Sequence, residues 1–164
     1  MKLSQVLKSA AAVVGVLALG YASTANASTA QASLSVNATI QSSCIIAAAP
    51  LNFGPYNSTQ LDGSTQLTVT CTNTTPYTVS LNQGTNGTSV TARKMKDAGT
   101  DLLNYSLFSD TGRTVNWGNT GASDEVSGTG NGNAQTLNVY GRIPGGQALI
   151  IGTYSDTVTA TVTY

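Results

Sequence analysis

Residues that could perform catalysis are few in this chain of 164 residues. It contains no histidine, which excludes the usual general base and the Ser-His-Asp triad. A glycosidase would need two carboxylates facing each other across a cleft, but the adjacent Asp124 and Glu125 would point to opposite faces of a strand. The other acids are Asp62, Asp97, Asp101, Asp110 and Asp156. Most of them lie in turn-like sequence, where aspartate accepts hydrogen bonds from its own backbone, so the sequence predicts no enzyme.

No motif in the sequence predicts a cofactor or a metal site. The glycine-rich stretch SGTGNGN (127–133) matches neither the dinucleotide nor the phosphate-loop pattern and does not begin a helix. The stretch DAGTD (97–101) lacks the spacing of a calcium loop. Trp117 could stack on a sugar, but a single tryptophan within a strand pattern is more typical of a protein core.

The first 27 residues have the features of a secretory signal peptide. Lys2 and Lys8 form a basic start, residues 10–19 are apolar, and residues 25–27 (ANA) resemble a cleavage site. The apolar stretch is too short for a transmembrane helix, so no membrane span is predicted. Removal of 27 of the 164 residues leaves 137, which is enough for a single domain.

The two cysteines, Cys44 and Cys71, both lie in the exported part of the chain. In an oxidising compartment an even pair predicts one disulfide, which would stabilise the fold by about 3–4 kcal/mol on the chain-entropy model. A zinc site is not expected, because there is no histidine and no second cysteine pair.

The charge of the mature chain argues against nucleic-acid binding. Without Lys2 and Lys8, five of the seven basic residues remain against seven acidic ones, giving a net charge of about −2. The remaining basic residues are Arg93, Lys94, Lys96, Arg113 and Arg142. They form no strong run and therefore no positive field that could neutralise phosphates.

After the leader, apolar and polar residues alternate with a period of two in many short segments. Strands are predicted through residues 65–72, 76–82, 89–95, 102–110, 113–118, 134–144 and 158–164. Helix signals are nearly absent, and residues 119–133 are predicted to be a loop rich in Gly, Ser and Thr. Six or seven strands at this spacing indicate an all-β sandwich with Greek-key connections.

The alternation is most regular at the two ends of the mature chain. In ASLSVNATI (32–40) one face would carry Ala32, Leu34, Val36, Ala38 and Ile40. In the last segment one face would carry Val158, Ala160, Val162 and Tyr164. An N-terminal segment usually frays unless something holds it, so its apolar face needs a partner surface.

Four motifs together resemble the spore coat protein U domain, the pilin family of the archaic chaperone–usher pili. They are LNFG (51–54), LNYSLFSDTGRTVNWG (103–118), VYGRIPGGQ (139–147) and GTYSDTVTATVTY (152–164). The resemblance implies an incomplete immunoglobulin-like β-sandwich that lacks its final strand. It also implies a periplasmic chaperone, an outer-membrane usher and neighbouring pilin subunits as partners.

In such pilins the groove left by the missing strand is filled by the N-terminal extension of the next subunit. The resemblance therefore implies a donor-strand extension over residues 28–41 and a pilin domain over residues 42–164. Because the alternation of Val158, Ala160, Val162 and Tyr164 continues to the last residue, we expect this strand to have an uncovered edge that faces the chaperone. The function expected is a structural subunit of a surface pilus that serves attachment and biofilm formation.

Two other classes are compatible with the sequence. A secreted carbohydrate-binding sandwich would be a monomer with exposed aromatic side chains on one face. A protective coat protein is the alternative that the family name suggests.

Overall fold

The computed structural model describes residues 26–164 and divides the chain into the units Met1–Ala38 and Thr39–Tyr164. In the first unit, residues 26–38 have neither helix nor strand, and every side chain is exposed. The predicted signal peptide, apart from its last two residues, lies outside the described residues. Among residues 26–164 there is no helix with the length and hydropathy needed to cross a bilayer.

The second unit consists of β-strands that form two antiparallel sheets. The strands are β1 (Cys44–Ala48), β2 (Leu61–Cys71), β3 (Pro76–Leu81), β4 (Arg93–Lys96), β5 (Leu102–Phe108), β6 (Val126–Thr129), β7 (Ala134–Ile143) and β8 (Ala160–Thr163). One sheet has the order β1-β2-β7-β5-β4 and the other the order β6-β3-β8. Since β2 and β3, and likewise β7 and β8, lie in different sheets, the chain repeatedly crosses between the two layers.

The core lies between the sheets and is built from the alternating apolar residues of the long strands. Strands β2 and β7 pair along ten residues, from Leu61 opposite Ile143 to Thr70 opposite Ala134. The buried side chains of the two sheets come from β2, β7, β5 and β3. They are Leu67, Val69, Val139, Ile143, Leu103, Tyr105, Leu107, Tyr77, Val79 and Leu81. The strands and the alternation predicted for these four segments are therefore confirmed.

The predicted disulfide is present. Cys44 at the start of β1 lies directly opposite Cys71 at the end of β2, and their sulfur atoms are bonded. The bond joins the first strand of the sandwich to its longest strand.

Two buried polar side chains fix the loops that close the core. The Trp117 indole is 1% exposed, and its Nε1–H donates to the Val79 carbonyl at 2.9 Å. Trp117 is therefore a core residue, as its place in the sequence favours. Arg93 is fully buried and donates to four backbone carbonyls, those of Leu81, Asn82, Val90 and Trp117, at 2.7–2.9 Å. Burial lowers the pKa of this guanidinium, while the carbonyl dipoles replace the water that it loses.

Among the predicted strands and loops, three differ most from the structure, each for a local reason. The strand predicted over 89–95 begins only at Arg93, because Ser89 and Ala92 form a hydrogen-bonded turn. Residues 113–118 form no strand; Arg113 has a φ of 58°, and only the bridge between Phe108 and Asn116 remains. The loop predicted over 119–133 contains β6, whose four residues pair with β3 without an apolar alternation of their own.

Candidate functional site

An open groove runs across the second unit, between the chain that follows β1 and the chain that precedes β8. One part, of about 550 Å³, has the core residues Leu67, Leu107 and Val139 among its lining. A second part, of about 690 Å³, continues from it, since both include Phe53 and Tyr154. We call the two parts together the groove.

The first wall of the groove consists of residues 49–57. Leu51 and Phe53, two half-buried apolar residues of this wall, pack on a pair of glycines that lie opposite each other in β2 and β7, Gly63 and Gly141. A Cβ atom at Gly141 would lie 2.6 Å from both Leu51 Cδ2 and Phe53 Cζ, so only glycine leaves room for these side chains. The Phe53 ring also meets the Tyr105 ring edge-on, with 6.5 Å between the centroids.

The glycine pair is held in turn by charged side chains. The Arg113 guanidinium donates to the carbonyls of Gly141 and Gly63 at 3.1 and 3.2 Å. Arg113 and Arg142 both contact the Asp62 carboxylate, and the hydrogen bond from Arg142 is the main reason that the pKa of Asp62 is lowered. The sheet is therefore tied together where the first wall packs on it.

The second wall consists of residues 153–159, and Asp156 fixes its position. The Asp156 carboxylate accepts hydrogen bonds from the Thr85 amide (2.9 Å) and hydroxyl (2.6 Å), the Asn86 side-chain amide (3.1 Å) and the Tyr105 hydroxyl (2.7 Å). One carboxylate thus joins the second wall to the loop after β3 and to the core strand β5.

The pKa directions at Asp156 follow from these contacts. Burial by itself would raise the pKa of Asp156, but the hydrogen bonds from Thr85 and Tyr105 outweigh it and the pKa is lowered. Burial, followed by the bond to the Asp156 carboxylate, raises the pKa of the Tyr105 hydroxyl. Both effects keep Asp156 charged and Tyr105 protonated, which is the pairing that the hydrogen bond needs.

Both walls present unpaired backbone groups. In the second wall, the odd-numbered residues bond to the body of the domain: the amides of Ser155, Thr157 and Thr159 donate to Lys96, Thr85 and Asn82. The backbones of Tyr154, Asp156 and Val158 form no hydrogen bond within the part of the chain that the structure describes, nor do those of residues 50–57. Such a row of free N–H and C=O groups is the edge to which another strand can be added.

Two of the C-terminal residues singled out from the sequence, Val158 and Ala160, line the groove. Val158, Ala160 and Val162 are half-buried and pack against the core, while Tyr164 is exposed. Strand β8 pairs with β3 and is the edge of its sheet among the described strands.

The N-terminal residues singled out from the sequence are exposed. Ala32, Leu34, Val36 and Ala38 belong to the first unit and Ile40 to the second. All five have exposed side chains, with Leu34 87%, Val36 83% and Ile40 88% accessible. No strand forms over residues 32–40 in the isolated chain.

The roles of several residues of the site were not predicted from the sequence. Leu51 and Phe53 alternate with the polar Asn52 as in a strand, but the pattern is too short to predict that these residues form one side of a groove. Asp156 resembles the aspartates that only stabilise turns, as Asp110 does by accepting from the amides of Thr114 and Val115. Its different role depends on the loop after β3, which lies about seventy residues away in the sequence. Residues 26–164 contain no group of acidic, histidine or cysteine side chains that could hold a metal ion.

Comparisons with known proteins agree with this geometry. The profile of the Spore Coat Protein U domain family matches residues 30–161. Protein U of Myxococcus xanthus is 35% identical, in an alignment that covers 94% of this chain and 96% of that protein.

A solved structure supports the fold. It is the crystal structure of a chaperone–tip adhesion subunit pre-assembly complex from the archaic chaperone–usher Csu pili of Acinetobacter baumannii. One chain of that complex matches with a TM-score of 0.56 at 26% identity, over 77% of this chain and 41% of the other. This chain therefore spans less than half of that structural relative, and the match confirms the predicted all-β, immunoglobulin-like fold. By the family match and the identity to Protein U, the chain belongs to the Spore Coat Protein U domain family, as its sequence motifs predict.

Proposed function

We propose that this protein is a structural pilus subunit whose groove receives the N-terminal extension of a neighbouring copy. The observation that supports the proposal is that the groove and residues 32–40 of the same chain are complementary. The groove offers an apolar floor between two walls with free backbone groups, and residues 32–40 offer exposed apolar side chains at every second position. A strand added between the walls would meet both needs at once.

The energetics favour such an exchange. Burial of Leu34, Val36 and Ile40 would contribute roughly 5–9 kcal/mol before entropy costs. A strand of nine residues is about 30 Å long, enough to run along the whole second wall, which has seven residues. The polar residues of the extension, which alternate with the apolar ones, would face solvent.

Assembly would require partners that protect the groove beforehand. The related complex from Acinetobacter baumannii is described as a chaperone–subunit pre-assembly complex, which supports a periplasmic chaperone as the first partner. We expect that chaperone to use the edge formed by Val158, Ala160, Val162 and Tyr164. An outer-membrane usher would then export the subunits to the cell surface, where the pilus would serve attachment and biofilm formation.

The family is one of structural coat and pilus subunits rather than of enzymes. A carbohydrate-binding module is disfavoured, because Tyr164 is the only aromatic residue among the exposed large apolar residues of the described chain. A coat protein remains the second candidate, since the matching family is named for spore coat protein U. Fibres extending from growing cells would favour the pilus, and polymer confined to a spore surface would favour the coat.

The test is gel electrophoresis of surface material sheared from cells. Donor-strand polymers should give a ladder in SDS without heating and a single band after heating, because heat is needed to release the exchanged strand. A variant that lacks residues 28–41 should give only the monomer. A single band for the full chain without heating would refute the proposal.

A further inference from the structure

The loop of residues 144–152, between β7 and the second wall, presents two adjacent apolar side chains to solvent. Ile150 is 62% exposed and Ile151 is fully exposed. Few large apolar residues of the second unit are so accessible. Each of these two isoleucines leaves apolar surface in contact with water after the domain has folded. The pair therefore calls for a partner surface.

The loop is held in place by hydrogen bonds. The Gln147 side chain accepts from the Asn104 amide at 2.8 Å and donates to the Asn104 carbonyl at 3.1 Å, replacing a strand partner beyond the end of β7. The Ile150 amide donates to Asp101 Oδ2 at 2.9 Å, and the Tyr154 hydroxyl donates to the same oxygen at 2.7 Å. These contacts anchor the loop at Gln147, at Ile150 and at Tyr154, on both sides of Ile151.

The position of the pair is the rim of the groove. Ile150 and Ile151 line the same part of the groove as Tyr154, at the start of the second wall. Antiparallel pairing is slightly more stable than parallel pairing. A donor strand antiparallel to the second wall would enter beside Ala160 and end, with Ile40, beside Ile150 and Ile151.

The length of chain after the donor strand determines what lies beyond the rim. Only residues 41–43 separate Ile40 from β1, and four extended steps span about 14 Å at most. The β1 strand of the neighbouring copy must therefore lie close to the rim. Its Ile45 is 68% exposed on the outer face of the strand, away from the core.

We infer that Ile150 and Ile151 dock on the outer face of β1, at Ile45, of the neighbouring copy whose extension fills the groove. The inference rests on the proposed function and adds to it a contact between the bodies of successive subunits. This contact would fix the angle between subunits, so that the fibre is stiffer than a chain joined by donor strands alone.

The test is a disulfide cross-link between subunits. A chain carrying Ile45→Cys and Ile151→Cys is assembled, oxidised and run on a non-reducing gel after heating, so that only covalent links survive. The matched control carries Ile45→Cys and Asn131→Cys; Asn131 is exposed at the opposite end of β7. We expect roughly tenfold more covalent oligomer in the first variant, because a disulfide needs Cα atoms within about 7 Å.

The gels distinguish loss of the contact between subunit bodies from loss of donor-strand assembly. A ladder without heating, but no covalent ladder after oxidation, overturns the body contact and leaves the pilus proposal intact. The absence of any ladder from the unmodified chain refutes the pilus proposal itself. If the cysteine variant fails to assemble, the variant Ile150→Ser/Ile151→Ser decides by electron microscopy. Its fibres should be several-fold more flexible, and unchanged stiffness overturns the inference.

Discussion

The β2–β7 pair and the groove are built from the same pattern of alternating residues but differ in their backbone. Along β2 and β7 ten residue pairs face each other, and inward side chains such as Val69 and Val139 are at most 3% exposed. Along the second wall the inward side chains of Tyr154 and Val158 are only half-buried, and their backbones have no partner in the described chain.

The difference shows that alternation is enough to give a segment an apolar inward face. Only a neighbouring strand can pair its backbone N–H and C=O groups. Unpaired backbone at the edge of an apolar groove is a liability for an isolated chain, because it invites aggregation. The same edge is useful when the partner is a second copy with a matching extension. Variants that alter one of the two regions at a time should separate their roles.

The largest effect is expected from removing part of the closed structure. Deletion of residues 161–164 removes most of β8, whose residues pair with Thr78, Val79 and Ser80 of β3. We expect the soluble subunit and its complex with the chaperone to disappear from periplasmic extracts, as measured by immunoblot. Deletion of residues 28–31, which are exposed and precede the alternation, is the control. An unchanged yield of the truncated subunit would contradict the role of β8.

Val36→Asp should abolish the polymer and leave the subunit intact. Val36 is exposed in the isolated chain, so the charge costs nothing there, whereas a neighbour's core would bury it at a cost of several kcal/mol. Surface polymer is measured by shearing and unheated SDS gels, and the subunit by its yield with the chaperone. Ser35→Asp, on the polar face, should be nearly neutral. If Val36→Asp instead destroys the subunit, residues 32–40 belong to their own domain.

Gly141→Ala should displace the first wall. The new methyl group would press on Leu51 and Phe53, and such overpacking typically costs about 1–3 kcal/mol. We expect a lower midpoint of chemical unfolding and less polymer per subunit. Gly99→Ala, in an exposed turn, is the control. Equal losses in both variants would show that the glycine pair has no special role.

Asp156→Asn should have the smallest effect, with a pH signature. Because the folded-state pKa of Asp156 lies below its ordinary value of about 3.9, its contribution is present above that pH and is lost as the pH falls through the lower value. The amide of asparagine can accept fewer of the five hydrogen bonds that the carboxylate accepts, a loss of about 1–2 kcal/mol at pH 7.

Urea unfolding at pH 7 and pH 3 measures this difference. The unmodified protein should lose stability between the two values, and Asp156→Asn should lose less. Asp110→Asn, in the turn after β5, is the control for a turn carboxylate. Equal pH dependence in the unmodified protein and Asp156→Asn would exclude Asp156 as the group that holds the second wall.

The parts of the fold that can be predicted from sequence are those in which the type of each residue indicates whether it is buried or exposed. The alternation of Leu67, Val69 and Cys71 places one face of β2 in the core without knowledge of its neighbours. In β6 the residues VSGT carry no such pattern, since only the pairing with β3 makes them a strand. Gly141 and Asp156 also depend on partners distant in sequence, the first wall and the loop after β3, so their roles appear only in three dimensions.

Hydrogen–deuterium exchange on purified polymer measures whether residues 32–40 of one copy pair with the second wall of the next. We expect the amides of residues 32–40 and those of Tyr154, Asp156 and Val158 to become protected together in the polymer. In the Val36→Asp subunit, which does not polymerise, residues 32–40 should exchange rapidly, because their amides have no backbone partner in the isolated chain. Exchange of residues 32–40 at the rate of a free peptide in intact polymer would contradict the insertion of this segment into a neighbouring groove.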